Sequence, residues 1–92
     1  MITHVIEKDG GKEPFDVEKI KRGVLAASRQ AGLDEAKQKE VVETVVNKVM
    51  KTFQAQTEVK TSEIRDQILI ELDLCAPLAA DAWRKYEESK KK

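Results

Sequence analysis

Apolar residues recur along this chain at two different intervals. Val17, Ile20, Val24, Ala27 and Ala31 follow one another at steps of three and four, which gathers them on one face of a helix. Asp16 stands where a side-chain cap is needed, and Gly32 where a left-handed residue ends the helix, with Leu33 available for the accompanying apolar contact. A second helix is predicted from Asp34, because Val41-Val42, Val45-Val46 and Val49-Met50 return every four residues and Phe53 extends the stripe. So many β-branched side chains favour a strand by propensity, but a strand requires period two, and the period decides for helix.

The opening Thr3 to Lys8 has strand composition, Asp9-Gly10-Gly11 provides a tight turn, and Lys12 to Phe15 is the returning strand. Thr57 to Lys60 is polar and β-tolerant, enough for one more short strand. Thr61 or Ser62 is then the expected cap of a third helix bearing Ile64, Ile68 and Leu72. Ala76-Pro77 breaks the chain, and Pro77 suits the first turn of a fourth helix whose inward face is Ala79, Ala82, Trp83 and Tyr86. The expected fold is α+β, a four-helix bundle capped by a small three-stranded sheet in the order β-β-α-α-β-α-α. It forms one domain over residues 1–90, with 91–92 a basic tail, and the sheet acts as a lid across one end.

Composition narrows the function. Lys plus Arg and Asp plus Glu both number 17, so no overall field draws the molecule to nucleic acid or to a membrane surface, and any anion recognition is local. Only 4% of residues are aromatic, which leaves the core to Val, Ile, Leu and Ala. A single cysteine, Cys75, excludes an intrachain disulfide and a multi-cysteine zinc site and packs as a small hydrophobe. The absence of a long apolar run and of a signal-peptide pattern makes a cytoplasmic address the expectation.

Enzyme motifs are missing: no phosphate-binding Walker loop, no G-x-G-x-x-G, no G-x-S-x-G, no H-E-x-x-H and no C-x-x-C. His4 is the sole histidine, and it reads as structural or idle. The candidates that remain are cationic. Lys8, Lys12 and Lys19 lie near the start of the first helix, whose free N–H groups favour anions, although on charge alone solvated lysines balanced by Glu7, Asp9, Glu13 and Glu18 explain them better. Arg65 shares the first turns of the third helix with Thr61 and Ser62, a place suited to phosphate, while pairing with Asp66 or Glu63 is the plainer reading. Lys90, four residues after Tyr86, continues the stripe of the last helix toward the same region.

The run Val5-Ile6-Glu7-Lys8-Asp9-Gly10-Gly11-Lys12-Glu13-Pro14-Phe15-Asp16-Val17-Glu18-Lys19-Ile20 resembles the opening of the ATP-cone family, the regulatory nucleotide-binding module at the N-terminus of many ribonucleotide reductase large subunits. Val59-Lys60-Thr61-Ser62-Glu63-Ile64-Arg65-Asp66 is similar to its second motif, and Ala82-Trp83-Arg84-Lys85-Tyr86 to its closing helix. The resemblance implies a non-enzymatic module that binds ATP or dATP, with Mg²⁺ as a charge-offsetting companion, and that controls the activity or oligomerisation of a partner such as ribonucleotide reductase. Carried over residue by residue, it directs Lys8, Lys19, Arg65 and Lys90 to phosphate and Glu13 and Asp16 to the base or its exocyclic amine. Val5 and Ile20 would supply apolar contact, and Thr61 a hydroxyl. The family's transcriptional repressors carry a preceding zinc ribbon that this sequence lacks, which disfavours that assignment. Two positions depart from the pattern: Glu7 and Glu87 put negative charge where the family commonly has basic or polar residues. They keep open the alternative of a degenerate module acting only through protein contacts.

Overall fold

The computed structural model describes residues 1–90, with side chains through Ser89. Its elements are β1 (His4–Ile6), β2 (Lys12–Pro14), α1 (Val17–Gln30), α2 (Glu35–Thr52), β3 (Glu58–Lys60), α3 (Thr61–Cys75) and α4 (Pro77–Lys90). This is the expected α+β order, with each strand trimmed to three residues.

The helix ends follow the local chemistry. Asp16 caps α1 by accepting from the Glu18 N–H at 2.9 Å, and Asp34 caps α2 by accepting from the Lys37 N–H at 2.8 Å. At the other end of α1, Gly32 adopts a φ of +82°, a conformation open to glycine without a Cβ penalty. The Gly32 and Leu33 amides then donate back to the Arg29 and Ser28 carbonyls at 3.0 and 3.2 Å, which is the Schellman arrangement. The start of α3 differs from expectation. Neither Thr61 nor Ser62 caps it: β3 runs straight into the helix, so the cap position falls on Lys60, which makes no side-chain capping bond. Thr61 is the first helical residue, and its hydroxyl instead donates to the Ile6 carbonyl of β1 at 3.4 Å.

The four helices form a closed ring in which α1 packs on α2 and α4, and α3 packs on the same two. Val24, Val41, Val45, Val49 and Leu72 are fully buried at its centre, with Ile20, Ile64, Ile68 and Trp83 around them. Removing such aliphatic side chains from water, at roughly 25 cal/mol per Å², is the main favourable term in a core this poor in aromatics. Arg84 staples α4 to α3 from outside through Asp73 at 2.7 Å. Tyr86 departs from the predicted inward face: it is 52% exposed, whereas Ala79, Ala82 and Trp83 are buried as expected.

The sheet has the order β2-β1-β3. β1 pairs antiparallel with β2 through the Gly10 turn, where φ is +91°, and parallel with β3. One transverse row is Glu13, Val5 and Val59, and since strand side chains alternate, these three share a face. Val59 is buried in the bundle, Val5 half-buried and Glu13 exposed at the edge. On the outer strands Lys12 and Glu58 form an ion pair at 2.7 Å that ties β2 to β3.

Candidate functional site

Where the Val5 row of the sheet meets the helices, an open cleft of about 640 Å³ runs between α1, α3 and α4, a size within the usual range of small-molecule sites. Helical periodicity builds its walls. From α1 come Lys19, Arg22, Gly23, Ala26 and Gln30, the polar and small-residue stripe beside the core stripe. From α3 come Thr61, Ile64, Arg65 and Ile68, spaced one turn apart, and from α4 Ala82, Trp83, Tyr86 and Glu87. The sheet side contributes Val5, Glu7 and Glu13, followed by Pro14, Phe15 and Asp16 on the way into α1.

Seven of the residues expected from the sequence therefore meet here: Val5, Glu13, Asp16, Lys19, Ile20, Thr61 and Arg65 all line the one cleft. Lys8 does not. It lies in the hairpin turn, one step out of phase with the Val5-Glu7 row, and is exposed. Lys12, the other hairpin lysine, is engaged by Glu58. The expectation for the Lys90 side chain, and the basic tail of Lys91 and Lys92, fall outside the described residues.

Lys19 occupies the third position of α1, where a cation opposes the helix dipole. It is exposed to the cleft and makes no ion pair among the described residues. Arg22, one turn on, leans along its own helix, its Nε donating to the Glu18 carbonyl at 3.4 Å. Arg65 pairs with neither Asp66 nor Glu63, which at one and two residues' distance point away from it on the helix. Its Nε lies 3.7 Å from Glu87 Oε1 on α4. Among the lining residues, the carboxylates Glu7, Glu13, Asp16 and Glu87 outnumber the cations Lys19, Arg22 and Arg65 by one.

Sequence reasoning did not single out Arg22, Gly23 or Ala26, and it placed Trp83 and Tyr86 in the core. The signal for the first three was present: they fall three, four and seven residues after Lys19. Gly23 has a definite packing reason, since a Cβ there would sit 3.0 Å from Trp83 Cζ3. The indole thus lies directly against the α1 backbone, with one edge on the cleft. No group of three or more His, Cys, Asp or Glu side chains able to hold a metal ion occurs among the described residues. Cys75 is partly buried against the core, and burial raises its thiol pKa.

The chain belongs to the ATP-cone family: the model described as ATP cone domain matches residues 3–92. Domains of this family are regulatory modules that in general bind adenine nucleotides. Similar proteins include an anaerobic ribonucleoside-triphosphate reductase of Salmonella typhimurium, 37% identical over 74% of this chain and 9% of the reductase. Another is the transcriptional repressor NrdR of Lactobacillus helveticus, 35% identical over 91% of this chain and 56% of the repressor. The repressor NrdR 3 of Paramagnetospirillum magneticum is 29% identical over 94% of this chain and 58% of its own length. The chain thus spans a small fraction of the reductase and little more than half of either repressor. Among the described residues no helix is long and apolar enough to cross a membrane.

Proposed function

We propose that this chain binds ATP or dATP in the cleft between α1, α3 and α4, and that occupancy changes how it packs on itself or on a catalytic partner such as a ribonucleotide reductase. The observation that carries the reading is the convergence of cations and apolar side chains on one cleft. Lys19, Arg22 and Arg65 present positive charge from two facing helices, while Val5, Ile20, Phe15 and Trp83 offer apolar surface for a base. A base set near Glu13 or Asp16 would find an acceptor for its exocyclic amine, although one oxygen of Asp16 already serves the α1 cap. Mg²⁺ travelling with the nucleotide would offset the excess carboxylate charge of the walls. The domain performs no turnover in this reading. Its output is differential affinity between packing states, in a cytoplasmic protein and without nucleic-acid contact by this module.

One observation favours the alternative, a degenerate cone acting only through protein contacts: Glu7 and Glu87 both line the cleft, and Glu87 already engages Arg65. Calorimetry with ATP, dATP, ADP and GTP separates the two. An adenine nucleotide should bind near one equivalent, and Lys19→Ala should weaken it about tenfold, the loss of one charge-assisted phosphate contact, with the fold intact. No heat at millimolar ATP or dATP would leave the interaction-only module. Sedimentation with and without saturating nucleotide then reads the output, and unchanged distributions would remove self-association.

A further inference from the structure

Arg65 on α3 and Glu87 on the adjacent α4 meet at the cleft wall, 3.7 Å apart between Nε and Oε1, and both line the cleft. Theirs is the one ion pair within the cleft among the described residues, and the carboxylate is the more enclosed partner, its side chain 25% exposed against 51% for the arginine. The contact is through a single guanidinium nitrogen and too long for a hydrogen bond, so the planar fork that makes arginine a bidentate ligand is not used. Asp16, by comparison, is turned to the α1 amides as a cap. Among the described residues Glu87 has no capping role of that kind; its partner is the cation that the cleft offers to an anion.

From this geometry we infer that Glu87 is an affinity-setting residue of the cleft, its carboxylate standing beside Arg65 and offsetting the charge that an incoming polyphosphate would use. The inference rests on the reading of the cleft as a phosphate-binding site and deepens it. A phosphate oxygen pair can engage in fork geometry the guanidinium that Glu87 only approaches at 3.7 Å, so exchange is feasible. The exchange carries a penalty in two parts. The existing pair is lost, which for an exposed contact is a small effect, and the displaced carboxylate remains beside the new negative charge. Together these weaken polyphosphate binding by roughly tenfold relative to a cleft with a neutral side chain at this position. Ligands without phosphate do not compete for Arg65 and are unaffected.

The test is the binding of tripolyphosphate, ATP and adenosine to the unaltered chain, to Glu87→Gln, to Arg65→Ala and to the double variant, with melting curves as the check on folding. Glu87→Gln keeps the side-chain shape, and Glu87→Ala serves as a second route to the same neutral site. The expected result is a gain of about tenfold for tripolyphosphate and ATP in Glu87→Gln, none for adenosine, and a smaller gain when Arg65 is already Ala, where only the repulsion remains to be relieved. Unchanged or weaker binding of both polyphosphates in Glu87→Gln and Glu87→Ala overturns the inference and leaves the nucleotide reading standing. A gain for tripolyphosphate without any preference for adenine nucleotides upholds the inference and removes the nucleotide reading. If none of the three ligands binds any variant, both are overturned.

Discussion

Gly23→Ala sets a local rule against a packing contact. Position 23 lies inside α1, where alanine is favoured over glycine by about 1 kcal/mol, so helix propensity alone predicts a more stable protein. The structure predicts the reverse. The added methyl would meet Trp83 Cζ3 at 3.0 Å and Cη2 at 3.2 Å, against a comfortable carbon separation of about 3.5–4.0 Å. The ring would have to retreat by about half an ångström, yet Trp83 is only 8% exposed and held by the core. Overpacking of that kind costs roughly 1–3 kcal/mol. The net expectation is a loss of about 1 kcal/mol, a fall in melting temperature of about 4–8 °C for a domain of this size. The same substitution made in a Trp83→Leu background should raise the melting temperature, because the propensity gain then stands alone. Thermal denaturation followed by circular dichroism reads all four proteins. The chain's one tryptophan lets fluorescence report the displacement of the indole in Gly23→Ala. A higher melting temperature for Gly23→Ala with Trp83 in place would refute the argument that this glycine exists for the close approach.

Two further outcomes follow from single contacts. The hydrogen bond and charge of Lys12 hold the Glu58 carboxyl below its ordinary pKa, so the pair's contribution is complete above the ordinary glutamate value and is lost as pH falls through the lowered one. Lys12→Ala should therefore flatten the acid limb of a stability-versus-pH profile, and an unaltered limb in urea titrations between pH 3 and pH 6 would contradict it. Ser28 is fully buried on α1 with its hydroxyl unpartnered among the described residues, so Ser28→Ala should stabilise the domain by about 1 kcal/mol, read as a rise in the urea midpoint. A lower midpoint would mean that the hydroxyl has a partner in solution.

The helices were legible because each carries its own period and its own punctuation: Asp16, Asp34, Gly32 and Pro77 act within a turn of where they stand. The departures arise where a distant element takes over a residue's local preference. Thr61 is a good cap by type, but β3 leads directly into α3 and the Ile6 carbonyl claims its hydroxyl. Arg65 has acidic neighbours in sequence, but helical geometry turns it toward a carboxylate 22 residues away, on α4. Lys8 belongs to the resembling motif, but strand alternation and the turn take it off the cleft wall. Tyr86 continues the apolar period of α4 and still emerges at the cleft, since periodicity fixes the face of a helix and says nothing about how far along it the neighbours extend.

The parallel pairing of β1 with β3 bears on the order in which the molecule assembles. The hydrogen bonds that join Thr3 and His4 to Thr57 close a loop of more than fifty residues, containing β2, α1 and α2. Closing a flexible loop of that length costs about 3.5 kcal/mol in chain entropy before any contact rewards it. The β1–β2 hairpin and the helical hairpins involve shorter loops and precede it, and only when α1 and α2 have folded back on each other is the gap short enough for β3 to find its parallel neighbour. On loop length alone, the β1–β3 seam that carries the Val5 wall of the cleft is the pairing expected to form latest. Were that seam to open at lower cost than the helical ring unfolds, it would be a separate cooperative unit, and a ligand bound against the Val5 wall would draw part of its stabilising effect from that local equilibrium.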